Sequence, residues 1–589
     1  MFSMIGYKIY GILFEDSRSV LYRGERDSDN KPVLLKTVQS SYPRSLFEVS
    51  IRNEYEITSK LQIDGVPKPY ELVRHSQGLV MIMEDKGSKP LRTFLSAKKM
   101  GLQDFLQLAI SLSDILFELH NNKIIHKDIN PNHIFFNPQT KAVELTGFGA
   151  ASLLSFEESR FLTHGFVEET FAYVSPEQTG RMNRVLDYRT DFYSLGVTFY
   201  EILTDQLPFR VNDPLDMVHS HMAREPVRPN QINSSIPGVL SDLVIKLMAK
   251  SAEERYQSAA GLKADLNRCL MQFRNKGSVE GFDLGSQDYT ENLSIPQKLY
   301  GRSKELSVLH QALEKATAWR MALIMVSGFA GIGKTSLVRE MQSAIAKANG
   351  YFITGKFDQL KRNIPYGGIV KALQQLVLEL LTHGRARLEQ LREEILNAMG
   401  SNAQIIVDVI PEIEQLIGGQ PPVMILGPVE TQNRFNLVFR NFIEILCHKI
   451  KPLVIFLDDL QWVDTATLKL IELMATHNEN QSLLLIGAYR SEEVDSSHPL
   501  TICLEKLKKI STPVGQIHLN PLNLNDVCHL TSDTLRQSDE NVRLLAESVL
   551  QKTYGNPFFV KFFLSSLHQL GLLTFSKNKE KWQWDSVKV

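Results

Sequence analysis

Only four cysteines occur in 589 residues, Cys269, Cys447, Cys503 and Cys528. They stand far apart, with neither metal-site spacing nor a disulfide framework, and are expected as buried thiols of a reducing compartment. Long apolar runs are missing too. None approaches the roughly 18 residues that a membrane-spanning helix needs, so no span is expected. The opening MFSMIGYKIY has no basic stretch leading into an apolar core and a small-residue cleavage site, which argues against a secretory signal. An excess of one charge is also absent, with 65 Lys and Arg against 66 Asp and Glu. Without a net field nothing draws the whole chain to nucleic acid or to an anionic membrane, and partners have to be argued from individual sites. No low-complexity tract and no fixed-period repeat is found. The compartment expected from these absences is the cytoplasm.

What is present is an ordinary globular balance, 43% hydrophobic and 22% charged residues. Most of the chain should therefore lie in packed cores, and its length implies roughly three to six folding units. From residue 1 to about 80, short runs such as KPVLLKTV and GLVMIME read as strands, interrupted by one helical stretch around Phe47–Leu61. From about 100 to 270, helical periods dominate, as in LQDFLQLAISLSDILFELH and DYRTDFYSLGVTFYEILT. Residues 273–297 lack strong periodicity and carry Gly, Ser, Asp, Asn and Pro, the composition of a connector. Beyond them, the short apolar runs ALIMVSG, PLVIFLDD and SLLLIGAY alternate with helical segments, which predicts a parallel α/β sheet.

The strongest local signal is Gly328-Phe329-Ala330-Gly331-Ile332-Gly333-Lys334-Thr335, a glycine-rich loop between a strand and a helix. Gly328, Gly331 and Gly333 let backbone N–H groups turn inward around phosphate oxygens at a helix N-terminus, with Ser336 next in the first turn. Lys334 is then placed for the β- and γ-phosphates of a nucleoside triphosphate, and the Thr335 hydroxyl for Mg2+. The strand PLVIFLDD ends in two carboxylates, Asp458 for the metal and Asp459 for the attacking water.

YGRSKEL at 300–306, the phosphate loop, LDDLQWVD at 457–464, Arg490 in GAYRSEEV and GNPFFV at 555–560 occur in that order. Together they resemble the signal-transduction ATPases with numerous domains (STAND), an AAA-related group. The resemblance implies that Gly301 and Arg302 lie by the adenine, that Arg490 senses the γ-phosphate, and that Pro557 caps the base from a helical lid. It implies a nucleotide-held switch with slow turnover. GKFDQLKRNIPYGG at 355–368 also resembles a segment of this group, with no physical role assigned to it.

Residues 1–272 resemble a serine/threonine protein kinase. Lys36 in VLLK matches the strand lysine, Glu54 its helix partner, and His126-Lys127-Asp128 the catalytic-loop triplet, with Asp128 where the catalytic aspartate orients the substrate hydroxyl. Ser175-Pro176-Glu177 matches the end of the activation segment, Asp191 the acid that props the catalytic loop, and Arg255 the partner of Glu177. The metal and phosphate parts depart from the pattern. Phe14, Asp16 and Ser19 stand where three glycines belong, and Asp16 is expected to repel phosphate. Gly147 replaces the metal-binding aspartate before Phe148-Gly149, and His133 replaces the asparagine of the second metal, with Asn132 one position early.

The expected fold is multidomain: a bilobal protein-kinase-like α+β domain followed by an α/β P-loop ATPase domain of AAA/STAND type with a helical lid. The boundaries expected are 1–272 for the kinase-like domain, expected to be a pseudokinase, 273–297 for the linker and 298–500 for the ATPase core. The lid is expected over 501–568, and 569–589 as the truncated start of a winged-helix-like unit. This order resembles the N-terminal part of bacterial, notably cyanobacterial, proteins that join a serine/threonine kinase, an AAA/STAND ATPase and a sensor histidine kinase. The function implied is a cytoplasmic signal-transduction switch with ATP and Mg2+ as cofactors. Its implied partners are signalling proteins, among them a histidine kinase module of a two-component system, and further copies of the chain. The alternative is an active serine/threonine kinase gated by the ATPase. A transcription regulator is disfavoured, since no helix-turn-helix with a basic recognition face is evident.

Overall fold

The computed structural model describes residues 2–76, 78–153, 171–180, 184, 186–211, 214–288, 293–361, 365–381, 385–424, 427–449, 452–476, 482–509, 514–576 and 581–585. The activation segment between 154 and 170, residues 362–364 of the GKFDQLKRNIPYGG stretch and the last four residues lie outside these. The chain divides into two compact units, one running to Thr290 and the other from Glu291 onward, apart from a few residues near 213–215.

In the first unit a five-stranded antiparallel sheet has the order β1-β2-β3-β5-β4, with β1 Tyr7–Glu15, β2 Ser19–Arg26, β3 Lys31–Val38, β4 Pro69–His75 and β5 Gly78–Glu84. Strand alternation divides its apolar residues between two faces. Val33 and Leu35 of β3 join Phe2, Val80 and Ile82 on one side. Leu34 and Val38 join Leu21, Met81 and Met83 on the other, which the helix Arg44–Thr58 covers with Phe47 and Ile51. The buried stripe of that helix is Phe47, Ile51, Glu54 and Thr58, a helical spacing in which one position is an acid. A buried carboxylate is tolerated only with a partner, and β3 supplies Lys36.

The second lobe of this unit is helical, around Leu102–Asn121, Arg189–Thr204, Gly238–Leu247 and Ala259–Lys276. Short strands β6 Lys89–Pro90, β8 Ile134–Phe136 and β9 Val143–Leu145 form a three-stranded sheet, and β7 Ile124–Ile125 pairs with β10 Ser152–Leu153. The loop between β7 and β8 carries Asp128.

The second unit is built on a parallel sheet in the order β12-β13-β14-β11-β15. Its strands are β11 Ala322–Gly328, β12 Tyr351–Lys356, β13 Leu453–Asp458, β14 Leu483–Arg490 and β15 Val514–His518. Every residue of β13 is buried, as a parallel strand covered by helices on both faces requires. Because β14 lies between β11 and β13, the carboxyl ends of all three open onto one crevice, the usual ligand position of such sheets.

The expected lid boundary at 501 is corrected. The helix Pro499–Lys509 leads into β15, which hydrogen-bonds to β11, so the sheet gains its edge strand from 514–518. The lid helices are Leu524–Leu535, Asp539–Thr553 and Pro557–Gln569, which share a core of their own with Val527, Leu545, Val549, Val560 and Leu564. A hairpin, β16 Leu573–Ser576 with β17 Lys581–Trp584, follows. Among the described residues no helix is long and apolar enough to cross a membrane.

Candidate functional site

At the crevice of the second unit, Gly328, Gly331 and Gly333 have φ of 150°, 73° and 97°, a region closed to most side chains. Gly331 has a second reason to be glycine, since a Cβ there would lie 2.9 Å from Phe558 Cβ and 3.0 Å from Asn556 Oδ1. The loop opens the helix Lys334–Arg339. Lys334 Nζ donates to the carbonyls of Gly328 at 2.7 Å and Phe329 at 2.9 Å, so its ammonium is folded over the loop. Thr335 Oγ1 donates to Asp458 Oδ2 at 2.8 Å, and Asp458 Oδ1 accepts from the Asp459 N–H at 3.0 Å. Burial pushes the Asp458 carboxyl up, with Asp459 adding to the rise against the Thr335 hydrogen bond. A hydroxyl and a carboxylate oxygen in contact are the hard donors that suit Mg2+, whose remaining positions water and phosphate fill.

Asp459 sits in the left-handed region at φ 58° and accepts from Gln461 Nε2 at 3.0 Å. Lys356, at the end of β12, lies 3.4 Å from it, and Arg490, at the end of β14, 3.7 Å. Arg490 also pairs with Glu493 at 2.7 Å and stacks over Trp462 at 5.1 Å. From the lid, Asn556 caps the helix that Pro557 begins, accepting from the Phe558 N–H at 3.1 Å. Its amide donates to the Ala330 carbonyl at 2.9 Å, and the Phe558 N–H points to the Gly331 carbonyl at 3.3 Å. The fold thus brings together Gly328, Gly331, Gly333, Lys334, Thr335, Asp458, Asp459, Arg490 and Pro557, with Ser336 in the following turn. Arg302 is turned elsewhere: it is buried and donates to the Asn520 carbonyl at 2.6 Å, between β15 and the lid. Sequence reasoning missed Lys356, Asn556 and Glu492, whose Oε1 accepts from the Ala330 N–H at 3.0 Å. All three lie inside segments the sequence singles out, GKFDQLKRNIPYGG, GNPFFV and GAYRSEEV, but no role was read from them there.

In the first unit Lys36 Nζ meets Glu54 Oε2 at 2.7 Å, and Glu54 Oε1 accepts from the Gly147 N–H at 3.2 Å. Burial pushes the Glu54 carboxyl up, but Lys36 outweighs it and holds the group below the usual carboxylate range. The buried Asp191 accepts from the backbone N–H of His126 at 3.0 Å and of Lys127 at 2.8 Å, and lies 3.0 Å from His120 Nε2. Arg255 pairs with Glu177 through two bonds of 2.6 and 2.8 Å.

Asp128 is enclosed. Arg18, from the turn between β1 and β2, donates to its Oδ2 at 2.9 Å, and Asn130 Nδ2 donates to its Oδ1 at 2.8 Å. Burial raises the Asp128 carboxyl, and the nearby His133 and Arg18 outweigh it and lower it. Asp16, expected to repel phosphate, lines the same cavity as Lys36, Glu54 and Asp128, and its carboxylate accepts from the N–H groups of Arg18 at 2.8 Å and Ser19 at 2.6 Å, the self-closing turn that aspartate favours. Gly147 has φ 83°, and a Cβ there would lie 2.5 Å from the His133 ring. That ring is held by the Asp128 carbonyl, 2.8 Å from Nδ1. A glycine and an engaged imidazole do not fit Mg2+, which wants oxygen.

Gly147→Ala is therefore expected to destabilise this unit by about 1–2 kcal/mol from the left-handed backbone alone, with the clash added. In a denaturation series, His133→Ala in the same chain should recover the clash and leave the backbone part; equal stability of Gly147→Ala and the parent would refute this packing.

Residues 10–266 match the protein kinase domain family and residues 298–486 match the AAA ATPase domain family. The chain is a protein kinase domain followed by an AAA ATPase domain. It is similar to the Hybrid signal transduction histidine kinase G of Dictyostelium discoideum, 30% identical over 83% of this chain and 18% of that protein. It is similar also to the Peroxide stress-activated histidine kinase mak3 of Schizosaccharomyces pombe, 20% identical over 96% of this chain and 28% of the relative. The kinase domain is similar to the Serine/threonine-protein kinase PknB of Mycobacterium leprae, 32% identical over 36% of this chain and 32% of that protein. The chain spans less than a third of the length of these relatives. Kinase and AAA ATPase domains are both ATP-binding families, and ATP is the ligand they imply.

Proposed function

We propose that this chain acts in signal transduction, with the ATPase domain as a STAND-type nucleotide switch and the kinase domain as a catalytically silent regulatory platform. The observation that carries this reading is the Arg18 guanidinium seated on Asp128, beside a glycine and a histidine at the two metal-ligand positions. Phosphoryl transfer is almost wholly positioning and charge neutralisation. A site that cannot seat the metal and has its acid bound by an arginine supplies neither. The surviving Lys36–Glu54 pair then serves to order the helix against the sheet.

In the ATPase domain the loop N–H groups and Lys334 take the phosphates, and Thr335 with Asp458 would hold Mg2+, which when bound neutralises charge between the β- and γ-phosphates. Asp459 orients the attacking water once it is released from Gln461, Lys356 and Arg490, and that requirement suits slow turnover. Asn556 and Pro557 connect the loop to the lid, so that nucleotide state alters how the lid is held. The two similar histidine kinases support a place in two-component signalling with a histidine kinase as partner.

The second reading, an active serine/threonine kinase gated by the ATPase, is favoured by the intact Lys36–Glu54 pair and by Asp191 under the catalytic loop. Transfer of labelled γ-phosphate to a basic protein separates the two. In a Lys334→Ala background, no label dependent on Asp128 is expected. Robust labelling that Asp128→Ala abolishes would sink the silent-platform reading.

A further inference from the structure

The turn Ser491–Glu493 after β14 carries an acid that the reaction does not explain. Glu492 Oε1 accepts from the Ala330 N–H at 3.0 Å, so a carboxylate of the chain itself lies on the phosphate loop. Lys334 Nζ rests on the carbonyls of Gly328 and Phe329 in the same stretch of loop, so the anion and the lysine sit on adjoining residues of the phosphate site.

The sheet order says which phosphate. β14 is the neighbour of β11, so residues following β14 lie against the first half of the loop, whereas the helix N-terminus at Lys334–Ser336 serves the other end. Lys334 reaches the β- and γ-phosphates, and Arg490, two residues before Glu492, lies 3.7 Å from Asp459. Glu492 is accordingly on the γ side. The lid meets the same residue through the next peptide, since Asn556 donates to the Ala330 carbonyl.

We propose that Glu492 sets the nucleotide preference of the switch: its carboxylate tolerates a diphosphate in the loop and has to be expelled by a γ-phosphate. This rests on the assignment of the loop as the nucleotide site. In the diphosphate state Glu492 keeps the Ala330 N–H. In the triphosphate state like charges separate, and the N–H is released to the phosphate.

The test is calorimetric titration of the full chain with Mg-ADP and with a non-hydrolysable Mg-ATP analogue. Glu492→Gln keeps an acceptor for the N–H, removes the charge and lies at an exposed position, so the fold is not at risk. Affinity for the triphosphate analogue is expected to rise about tenfold, with ADP affinity changing by less than about twofold. An unchanged ratio of the two affinities, or an equal rise in both, overturns the proposal. Binding that Lys334→Ala leaves intact would instead overturn the assignment of the loop itself.

Discussion

Lys334→Ala should lower the ATP affinity of this chain by about two orders of magnitude, measured by titration with a fluorescent nucleotide. The side chain is placed for two phosphate groups, and charge-assisted hydrogen bonds contribute about 1.5–3 kcal/mol each. Lys334 Nζ already lies within 2.9 Å of two loop carbonyls, so reaching the ligand needs only a side-chain rotation and no backbone movement. On the proposed reading of the kinase domain as a silent platform, with Arg18 on Asp128, that domain should not make up the loss. A variant that binds ATP as tightly as the parent would show that the principal nucleotide site lies outside the loop.

Arg255→Met should destabilise the kinase domain by about 3–5 kcal/mol, the usual cost of leaving one member of a buried ion pair alone. Arg255 is about 1% exposed and gives two hydrogen bonds to Glu177, which also accepts from Thr190 Oγ1 at 2.8 Å. Burial drives the Glu177 carboxyl up, and Arg255 outweighs it, so the folded value lies below the unfolded one. The carboxylate therefore contributes its stability fully above the unfolded value of about 4.3, and the contribution is lost as pH falls through the lower folded value. Denaturant unfolding followed by far-UV circular dichroism should show the largest gap between parent and Arg255→Met near neutral pH, narrowing as pH falls, because burial alone raises Glu177 in the variant and its protonation relieves the unpaired charge. A gap that stays constant with pH would count against the pair as a principal support.

The phosphate loop was legible because its signal is local. A strand, a glycine turn and a helix start lie within a few residues, and each glycine has a backbone reason. The two acids after PLVIFLD were legible for the same reason. Lys356, Glu492 and Asn556 were not, because each reaches the loop from a different element, and which strand lies beside which depends on sheet order. Lys356 meets Asp459 only because β12 pairs with β13 in a register that sets Lys356 against Asp458. The lid boundary at 501 failed likewise, since nothing local announces that Val514–His518 will hydrogen-bond to Leu323–Ser327.

In the kinase domain the departures from the pattern were legible, and their fit was not. Motif spacing sets Gly147 and His133 where the resembled kinases have metal ligands; only the fold shows that the imidazole occupies the space a Cβ at 147 would need. Arg18 was invisible as a partner of Asp128, 110 residues away. The turn that Asp16 closes with the N–H groups of Arg18 and Ser19 was likewise not legible from its charge.

By itself the amino-acid order determined the two-domain architecture, the phosphate loop and its acids, and the departures from the kinase pattern at Gly147 and His133. All of these are set by residues close in sequence or by patterns of hydrophobic period. Tertiary structure alone decided which cations and acids face each other across the strand ends, and that Arg18 closes on Asp128. Those contacts depend on strand order in the ATPase sheet and, for Arg18, on how the turn after β1 meets the loop before β8, arrangements whose energies come from apolar cores far from the sites.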